Sequence, residues 1–284
     1  DFSEAFQRLG RKRVDERYGN LFDMYQEITD VDPHDNPMMI FPAIHYTMGG
    51  LWVDYELQTS VKGLFALGEC NFSDHGANRL GASALMQGLS DGYFVIPYTM
   101  QNYLSDQITV PHIKTDAPEF DEAEKSVQAE IDRIYNIKGD ESVDHIHKKL
   151  YHIMWNNVGM ARSKESLERA LKELKELRKE FNEHVRVPGS KEGLNVELDK
   201  AIHLRDFITM GELIAYDALN RNESCGGHFR IESQTEEGEA KRDDEHYMYV
   251  ACWKYKGSDE VAPELLKEDL NYQYIKVQTR NYKS

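Results

Sequence analysis

The sequence predicts an α+β fold that is mostly helical, and three observations support this prediction. Apolar residues recur at steps of four, three, three and four residues through 163–181, which is the spacing of one face of a helix. Pro37 and Pro42 disfavour helix around residues 38–54, where branched and aromatic residues suit an extended chain. Residues 247–255 alternate in the way that a strand does.

The N-terminal 36 residues are predicted to form two helices. Gly19 and Asn20 separate them, because both residue types weaken a helix. The apolar positions at helical spacing are Phe2, Phe6, Leu9 and Val14 in the first stretch and Leu21, Met24, Tyr25 and Ile28 in the second.

The middle of the chain predicts a strand followed by a long helix. Residues 63–69, Gly-Leu-Phe-Ala-Leu-Gly-Glu, form a short apolar run that ends in a glycine and an acid. A carboxylate at the carboxyl end of a strand is well placed to accept a hydrogen bond from a ribose or ribityl hydroxyl. Residues 81–104 predict an apolar helix. Its apolar positions are Leu85, Met86, Leu89, Tyr93 and Phe94.

The remainder of the chain predicts an antiparallel three-helix bundle and an irregular tail. The first helix starts at residues 116–119, where an aspartate cap precedes a proline and an acid. The second carries the leucine stripe of 163–181, and the third covers about 194–219. A stripe this short predicts a bundle core rather than a coiled coil that binds a partner, although the second interpretation stays open. A further strand is expected at 272–277.

Composition restricts the partners. The chain has 50 acidic and 34 basic residues and a formal net charge of -16, which argues against nucleic acid because phosphate binding needs clustered cations. Three widely spaced cysteines, Cys70, Cys225 and Cys252, are expected to be reduced thiols in the cytoplasm. No apolar run approaches the roughly 20 residues that span a bilayer, so no direct membrane insertion is predicted.

Two motifs flank the predicted strand at 63–69. Residues 45–50 are His-Tyr-Thr-Met-Gly-Gly, and residues 75–81 are His-Gly-Ala-Asn-Arg-Leu-Gly. The planar fork of an arginine such as Arg79 matches a carboxylate. A histidine and an arginine on either side of such a strand therefore predict a small anionic substrate beside a nucleotide cofactor.

Neither a metal site nor a nucleophilic serine is predicted. His145, His147 and His152 fall at positions i, i+2 and i+7, so they do not share one ligating face of a helix. Ser224 follows Glu223, but no G-x-S-x-G elbow surrounds it.

Taken in order, the three motifs of residues 45–81 resemble the flavoprotein subunit of succinate dehydrogenase and fumarate reductase. Residues 221–230, Arg-Asn-Glu-Ser-Cys-Gly-Gly-His-Phe-Arg, are similar to the R-x-E-S-R-G-x-H-x-R segment of this family, with Cys225 in place of an arginine. The likeness therefore extends over nearly the whole chain.

The resemblance implies a domain division and a set of partners. Residues 1–44 would be the end of the capping domain, residues 45–108 the C-terminal portion of the FAD-binding domain, and residues 109–284 a helical C-terminal domain with an extended tail. The implied cofactor is FAD and the implied substrates are succinate and fumarate. The implied partner is an iron-sulfur subunit, which connects to a quinone-binding membrane anchor, so the chain would be cytoplasmic and peripheral at the inner face of the membrane.

The resemblance also implies roles for individual residues. His45 and Arg79 would bind the carboxylates of the substrate. Glu69 would accept hydrogen bonds from FAD hydroxyls, while the two glycines Gly49 and Gly50 would permit close approach of the flavin ring.

The helix that starts near residue 82 would direct the backbone N–H groups of Ala84 and Leu85 at the flavin. The usual family pattern G-x-N-S-L is replaced here by Gly-Ala-Ser-Ala-Leu, so a serine hydroxyl is absent at that point. His75 is expected to hold the loop that aims Arg79 rather than to act as a general base.

The family likeness makes the chain the C-terminal part of a longer polypeptide, since no GxGxxG motif for the FAD pyrophosphate occurs in it. The arginine that donates the proton would lie upstream, so no catalytic residue is assigned here, and we expect the isolated chain to be inactive. Two alternatives stay open. One is an enzyme similar to L-aspartate oxidase, whose relatives often have cysteine where this chain has Met48. The other is a helical docking module for an iron-sulfur subunit.

Overall fold

The protein is described by a computed structural model that covers residues 2–40, 44–72, 75–258 and 261–278. The chain forms two compact units, Asp1–Thr47 and Met48–Ser284. The mostly helical α+β fold predicted from the sequence is confirmed. The domain boundaries at 44/45 and 108/109 stay predictions.

The first unit contains two helices, α1 (Phe2–Leu9) and α2 (Arg11–Thr29). The predicted break at Gly19 is wrong, because the chain breaks at Gly10, which has a φ of 80°. Helix α2 continues through Gly19 because its buried residues Val14 and Phe22 lie on either side of that glycine. Packing of this face outweighs the roughly 1 kcal/mol that a glycine costs in a helix.

Aromatic rings fill the centre of the first unit. The Phe22 ring lies 5.1 Å from that of Phe2 and 5.1 Å from that of His34, measured between centroids. His34 Nε2 is 2.7 Å from Asp15 Oδ1, and its Nδ1 is 2.7 Å from Asp32 Oδ1. The hydrogen bond to Asp15 raises the pKa of His34 above its ordinary value.

The second unit starts with an extended segment that forms isolated bridges instead of strands. Leu51 pairs in parallel with Asn71, and Gln58 pairs in antiparallel with Phe65. The predicted strand at 63–69 is wrong, whereas the described part of 38–54 contains no helix, as the predicted extended chain requires. A strand requires a ladder of several hydrogen-bonded pairs, and single bridges leave these segments extended only. Phe41 and Pro42, used in the prediction, lie outside the described residues.

The predicted helix at 81–104 is present but is interrupted. It consists of α3 (Ser83–Ser90), a π-helical turn (Asp91–Val95) and α4 (Ile96–Ser105). Pro97 is at the start of α4 and has no N–H to continue the regular pattern, which accounts for the turn just before it.

The C-terminal domain is a helical bundle. Its elements are α5 (Pro118–Asn136), β1 (Glu141–Ser142), α6 (Val143–Val158), α7 (Lys164–His184), β2 (Val185–Arg186) and α8 (Val196–Asn220). Helix α6 was not predicted, although its buried residues Val143, Ile146 and Leu150 follow helical spacing. The expected aspartate cap of α5 is wrong, because Ala117 occupies that position, followed by Pro118 as predicted.

The leucine stripe of α7 lies in the bundle core. Leu167 and Leu174 are 0% exposed, Leu177 is 3% exposed and Phe181 is 1% exposed. These side chains pack with buried residues of α6 and α8 in one cluster, so the bundle-core prediction is confirmed. A buried ion pair also connects α7 to α8, with Arg178 Nη2 donating to Glu212 Oε2 at 2.9 Å.

The tail contains a short helix and a hairpin. Helix α9 (Asp244–Tyr247) precedes β3 (Tyr249–Lys254), which pairs in antiparallel with β4 (Glu264–Asp269). The strand near 247–255 is therefore confirmed, but the second strand lies at 264–269 and not at 272–277. Its sequence Glu-Leu-Leu-Lys-Glu-Asp has few residues that favour strands, and it forms because it pairs with β3. In the part of the chain that the structure describes, no helix is long and apolar enough to cross a membrane.

Replacement of Leu174 by alanine is expected to lower the free energy of unfolding by about 2 to 5 kcal/mol, because a fully buried leucine leaves a cavity. The measurement is urea-induced unfolding followed by circular dichroism. Lys175→Ala is the control, since Lys175 is the exposed neighbour, and it should change stability by less than about 0.5 kcal/mol. A Leu174→Ala protein as stable as this control would contradict the bundle core.

Candidate functional site

Arg79 and Glu69 form an ion pair in the second unit, a contact that was not predicted from the sequence. Arg79 Nη1 donates to Glu69 Oε1 at 3.1 Å. The Arg79 side chain is 22% exposed and the Glu69 side chain is 43% exposed, so the pair lies at a surface and not in the core. A guanidinium has five N–H donors, and its bond to Glu69 through Nη1 is compatible with a second anionic acceptor.

Glu69 belongs to a 3-10 turn, Gly68–Cys70, that a buried polar network fixes to the helix α3 and the π-helical turn. Gly68 N donates to Asp91 Oδ2 at 2.9 Å. Gln87 Nε2 donates to Asn71 Oδ1 at 3.0 Å, and Asn71 is only 2% exposed. These hydrogen bonds hold Gly68 and Asn71, the residues that flank Glu69 and Cys70, so they set the position of the turn that carries Glu69.

The two glycines at 49 and 50 differ in what surrounds them. A Cβ on Gly50 would lie 2.4 Å from Cys70 O and 2.6 Å from Asn71 O, so the close packing of the protein's own backbone requires this glycine. Gly49 has a φ of 98°, and among the described residues no atom lies within 4 Å of the position of its Cβ. Gly49 is therefore the better candidate for close approach of a planar ring, and the role of Gly50 in cofactor binding stays a prediction.

The start of α3 is the second predicted cofactor contact. Ala82 precedes the helix in the left-handed conformation with a φ of 65°. Ala84 is buried at 8% exposure, whereas Leu85 is 76% exposed. Ser83 Oγ lies 3.4 Å from His75 Nδ1, so the two ends of the 75–83 segment contact each other. This contact supports the expected structural role of His75.

His45 lies in the first unit, and its side chain is exposed. Its ring contacts that of Tyr46 edge-on at a centroid distance of 5.7 Å. The role of His45 in substrate binding stays a prediction.

The 75–81 loop, which carries Arg79, is held by two further contacts that the sequence did not reveal. Arg79 N lies 3.3 Å from Met48 Sδ. Gly227 N donates to Ala77 O at 3.0 Å. The family-like segment 221–230 thus contacts the loop directly.

Arginines anchor that segment to the ends of two helices. Arg230 is 2% exposed, and its Nη1 donates to the carbonyls of Ala218 and Leu219 at 2.9 and 3.3 Å, near the C-terminal end of α8. Arg162 Nε donates to Val158 O at 3.0 Å at the end of α6. The last carbonyls of a helix have no partner within it, and these guanidinium groups supply one. The sequence contains no motif that marks Arg162 for this role.

Arg221 and Glu223 connect the same segment to the tail. Arg221 Nη1 donates to Glu223 Oε1 at 2.9 Å, and its Nη2 donates to Tyr249 O in β3 at 3.0 Å. Glu223 is 3% exposed and also accepts from Asp243 N at 2.9 Å. Ser224 is fully buried, and its Oγ accepts from Arg230 N at 2.8 Å. These bonds give the motif residues structural roles and leave Ser224 unavailable as a nucleophile.

His228 is held in one neutral form. The carbonyl of Arg221 lies 2.8 Å from Nε2 and must accept from it, so Nδ1 is the acceptor for Arg162 Nη1 at 2.9 Å. Burial lowers the pKa of His228 below 6.5, and the positive charge of Arg162 acts in the same direction. No group of three metal-ligating side chains occurs among the described residues.

Two family models match the chain. Residues 147–282 match the model described as fumarate reductase flavoprotein C-term, and residues 5–85 match the model described as FAD binding domain. The first covers most of the helical bundle and the tail, and the second ends inside α3.

Individual proteins show the same likeness. The succinate dehydrogenase flavoprotein subunit of Bacillus subtilis is 31% identical over 277 residues, which cover 95% of this chain and 44% of that protein. The fumarate reductase flavoprotein subunit of Haemophilus influenzae is 30% identical, with 84% of this chain and 38% of that protein covered. A solved structure of quinol-fumarate reductase with menaquinol molecules has a TM-score of 0.77 at 27% identity, covering 95% of this chain and 44% of that one. The chain spans less than half the length of these proteins.

Replacement of His228 by glutamine is expected to reduce the loss of stability in acid. The pKa of His228 is lower in the folded protein than its unfolded value of 6.5. The contribution of His228 to the free energy of unfolding is therefore fully present above pH 6.5, and it is lost as the pH falls from 6.5 toward the folded pKa. Glutamine keeps a donor and an acceptor but does not titrate. We expect the free energy of unfolding to fall less between pH 7.5 and 5 in His228→Gln than in the wild type, measured by urea unfolding.

The control is His112→Gln, since His112 is exposed in a segment without regular structure. This variant should show the pH dependence of the wild type. An unchanged pH dependence in His228→Gln would contradict the assignment of a neutral, partly buried imidazole.

Proposed function

Because the chain belongs to the family of succinate dehydrogenase and fumarate reductase flavoprotein subunits, we propose that it forms part of an FAD-dependent site that interconverts succinate and fumarate. The observation that carries this proposal is the pairing of Arg79 with Glu69 at a partly exposed position, on a turn whose Cys70 packs closely against Gly50. Such a site needs two recognition groups from the protein. An arginine binds a carboxylate of the substrate, and a carboxylate accepts a hydrogen bond from a hydroxyl of the cofactor.

Arg79 is proposed to bind one carboxylate of the substrate. A planar guanidinium donates two parallel hydrogen bonds to a carboxylate, and this geometry fixes the orientation of the substrate as well as its charge. His45 is proposed to hydrogen-bond to the other carboxylate. Together they would withdraw electron density from the carbon that accepts a hydride. No residue of this chain is proposed as the proton donor.

The residues present fit FAD. Glu69 presents a half-exposed carboxylate on a fixed turn, Gly49 leaves the space of a Cβ open, and Leu85 is exposed at the start of α3. We propose that Glu69 accepts a hydrogen bond from a hydroxyl of the cofactor. The backbone N–H groups of Ala84 and Leu85 would hold the pyrimidine edge of the ring, where negative charge is stabilised by a helix N-terminus. When bound, the cofactor would supply the redox chemistry, accepting a hydride from succinate in its oxidised form and donating one to fumarate in its reduced form.

We further propose an iron-sulfur subunit as the partner, connected to a quinone-binding membrane anchor, with the chain peripheral at the cytoplasmic face of the membrane. Family membership is the support for this proposal. The net charge of -16 suggests polar contacts that weaken with salt. Met48 in place of a cysteine favours the dicarboxylate enzymes over L-aspartate oxidase.

The test is Arg79→Lys in the complete flavoprotein. Lysine keeps the charge but loses the bidentate fork, so succinate oxidation should lose about 2 to 4 kcal/mol of transition-state stabilisation while the flavin is retained. The measurements are steady-state kinetics with an artificial electron acceptor and the flavin absorbance spectrum.

Arg186→Lys is the matched control, because Arg186 is exposed at the far end of the bundle in β2, and it should keep wild-type turnover. Turnover of Arg79→Lys within twofold of the wild type would show that Arg79 does not bind the substrate.

A further inference from the structure

The segment that resembles R-x-E-S-R-G forms a tight hairpin at Gly226 and Gly227. Cys225 N donates to His228 O at 2.8 Å, and His228 N donates to Cys225 O at 3.1 Å. Two hydrogen bonds across two residues define a two-residue turn, in which the tip can approach another backbone closely.

The tip of this turn packs closely against the loop that carries Arg79. Gly226 has a φ of 59°, and a Cβ on it would lie 1.8 Å from Ala77 O and 2.3 Å from Ala77 C. Because these are backbone atoms, no rotation of a side chain can relieve the overlap. A residue other than glycine at 226 would have to move the turn, the 75–81 loop or both.

The same turn reaches the second support of Arg79. A Cβ on Gly227 would lie 3.3 Å from Met48 Cε, and Met48 Sδ lies 3.3 Å from Arg79 N. Gly227 N also donates to Ala77 O, two residues before Arg79. The turn thus touches the loop at Ala77 and touches the methionine that contacts Arg79.

The turn itself is fixed to the helical bundle. His228 contacts Arg162 and the carbonyl of Arg221, and buried Arg230 donates to carbonyls at the end of α8. A continuous series of contacts therefore leads from the ends of α6 and α8 through the turn to Arg79.

We propose that the Gly226–Gly227 turn is a positioning device that sets where Arg79 meets the carboxylate of the substrate. Gly226 is a positioning residue, since it acts through the loop and not on the substrate. This inference rests on the proposed function of Arg79 as the carboxylate ligand. The helical C-terminal domain would thereby influence how tightly the substrate binds.

The test is Gly226→Ala in the complete flavoprotein, with the dissociation constant of malonate measured by its perturbation of the flavin spectrum. Malonate affinity should fall at least tenfold, KM for succinate should rise more than kcat falls, and the flavin content should not change. Gly193→Ala is the matched control, because Gly193 has a φ of 90° and no described atom lies within 4 Å of its Cβ position. Like Gly226 it has a positive φ, but its Cβ would contact nothing, so the malonate affinity of this variant should equal that of the wild type.

Gly227→Ala is the second test variant, to be measured in place of Gly226→Ala if that protein does not fold. Its added methyl group meets only the flexible end of Met48, so the protein should fold and bind malonate two- to fivefold more weakly. Wild-type malonate affinity in Gly226→Ala, or in Gly227→Ala where the first variant is unfolded, would overturn the positioning role. A wild-type flavoprotein that does not bind malonate would instead refute the proposed function.

Discussion

The position of the Arg79 loop against the helical bundle depends on a backbone contact, the hydrogen bond from Gly227 N to Ala77 O beside the closely packed Gly226. This contact joins the irregular segment that carries the recognition residues to the helical bundle. Backbones can approach to this distance only where no Cβ intervenes, which explains the glycine at position 226. The loop with Arg79 has no regular secondary structure of its own, so its position depends on what packs against it.

Exposure and partners separate the structural arginines from the candidate functional one. Arg162 and Arg230 donate to main-chain carbonyls at helix ends, where a positive group also interacts favourably with the helix dipole. Arg178 forms a buried pair with Glu212, and removal of either partner would leave a buried charge. Arg79 differs because its partner Glu69 is 43% exposed. A surface pair of this kind is worth little to stability, and an incoming carboxylate can compete for it.

Spacing alone predicted the parts of the structure that depend on local periodicity. The stripe of Leu167 to Phe181 specified a buried helix face, whereas the pairing of Arg79 with Glu69 was not predicted. The predictions are wrong where contacts between residues distant in sequence determine the local structure. The strand β4 forms by pairing with β3, and the break of the first helix lies at Gly10 because Val14 and Phe22 are buried. Sequence patterns do not specify such distant contacts. The helical periodicity of α6, in contrast, is present in the sequence.

A crystal structure of the complete flavoprotein with bound malonate tests most directly whether a dicarboxylate binds to an arginine that the helical domain holds in place. We expect one malonate carboxylate within about 2.7 to 3.2 Å of the Arg79 guanidinium nitrogens, the normal range for such bonds. We also expect Gly227 N to remain bonded to Ala77 O in that state. Malonate bound away from Arg79, or a 75–81 loop separated from the Gly226–Gly227 turn, would contradict this mechanism.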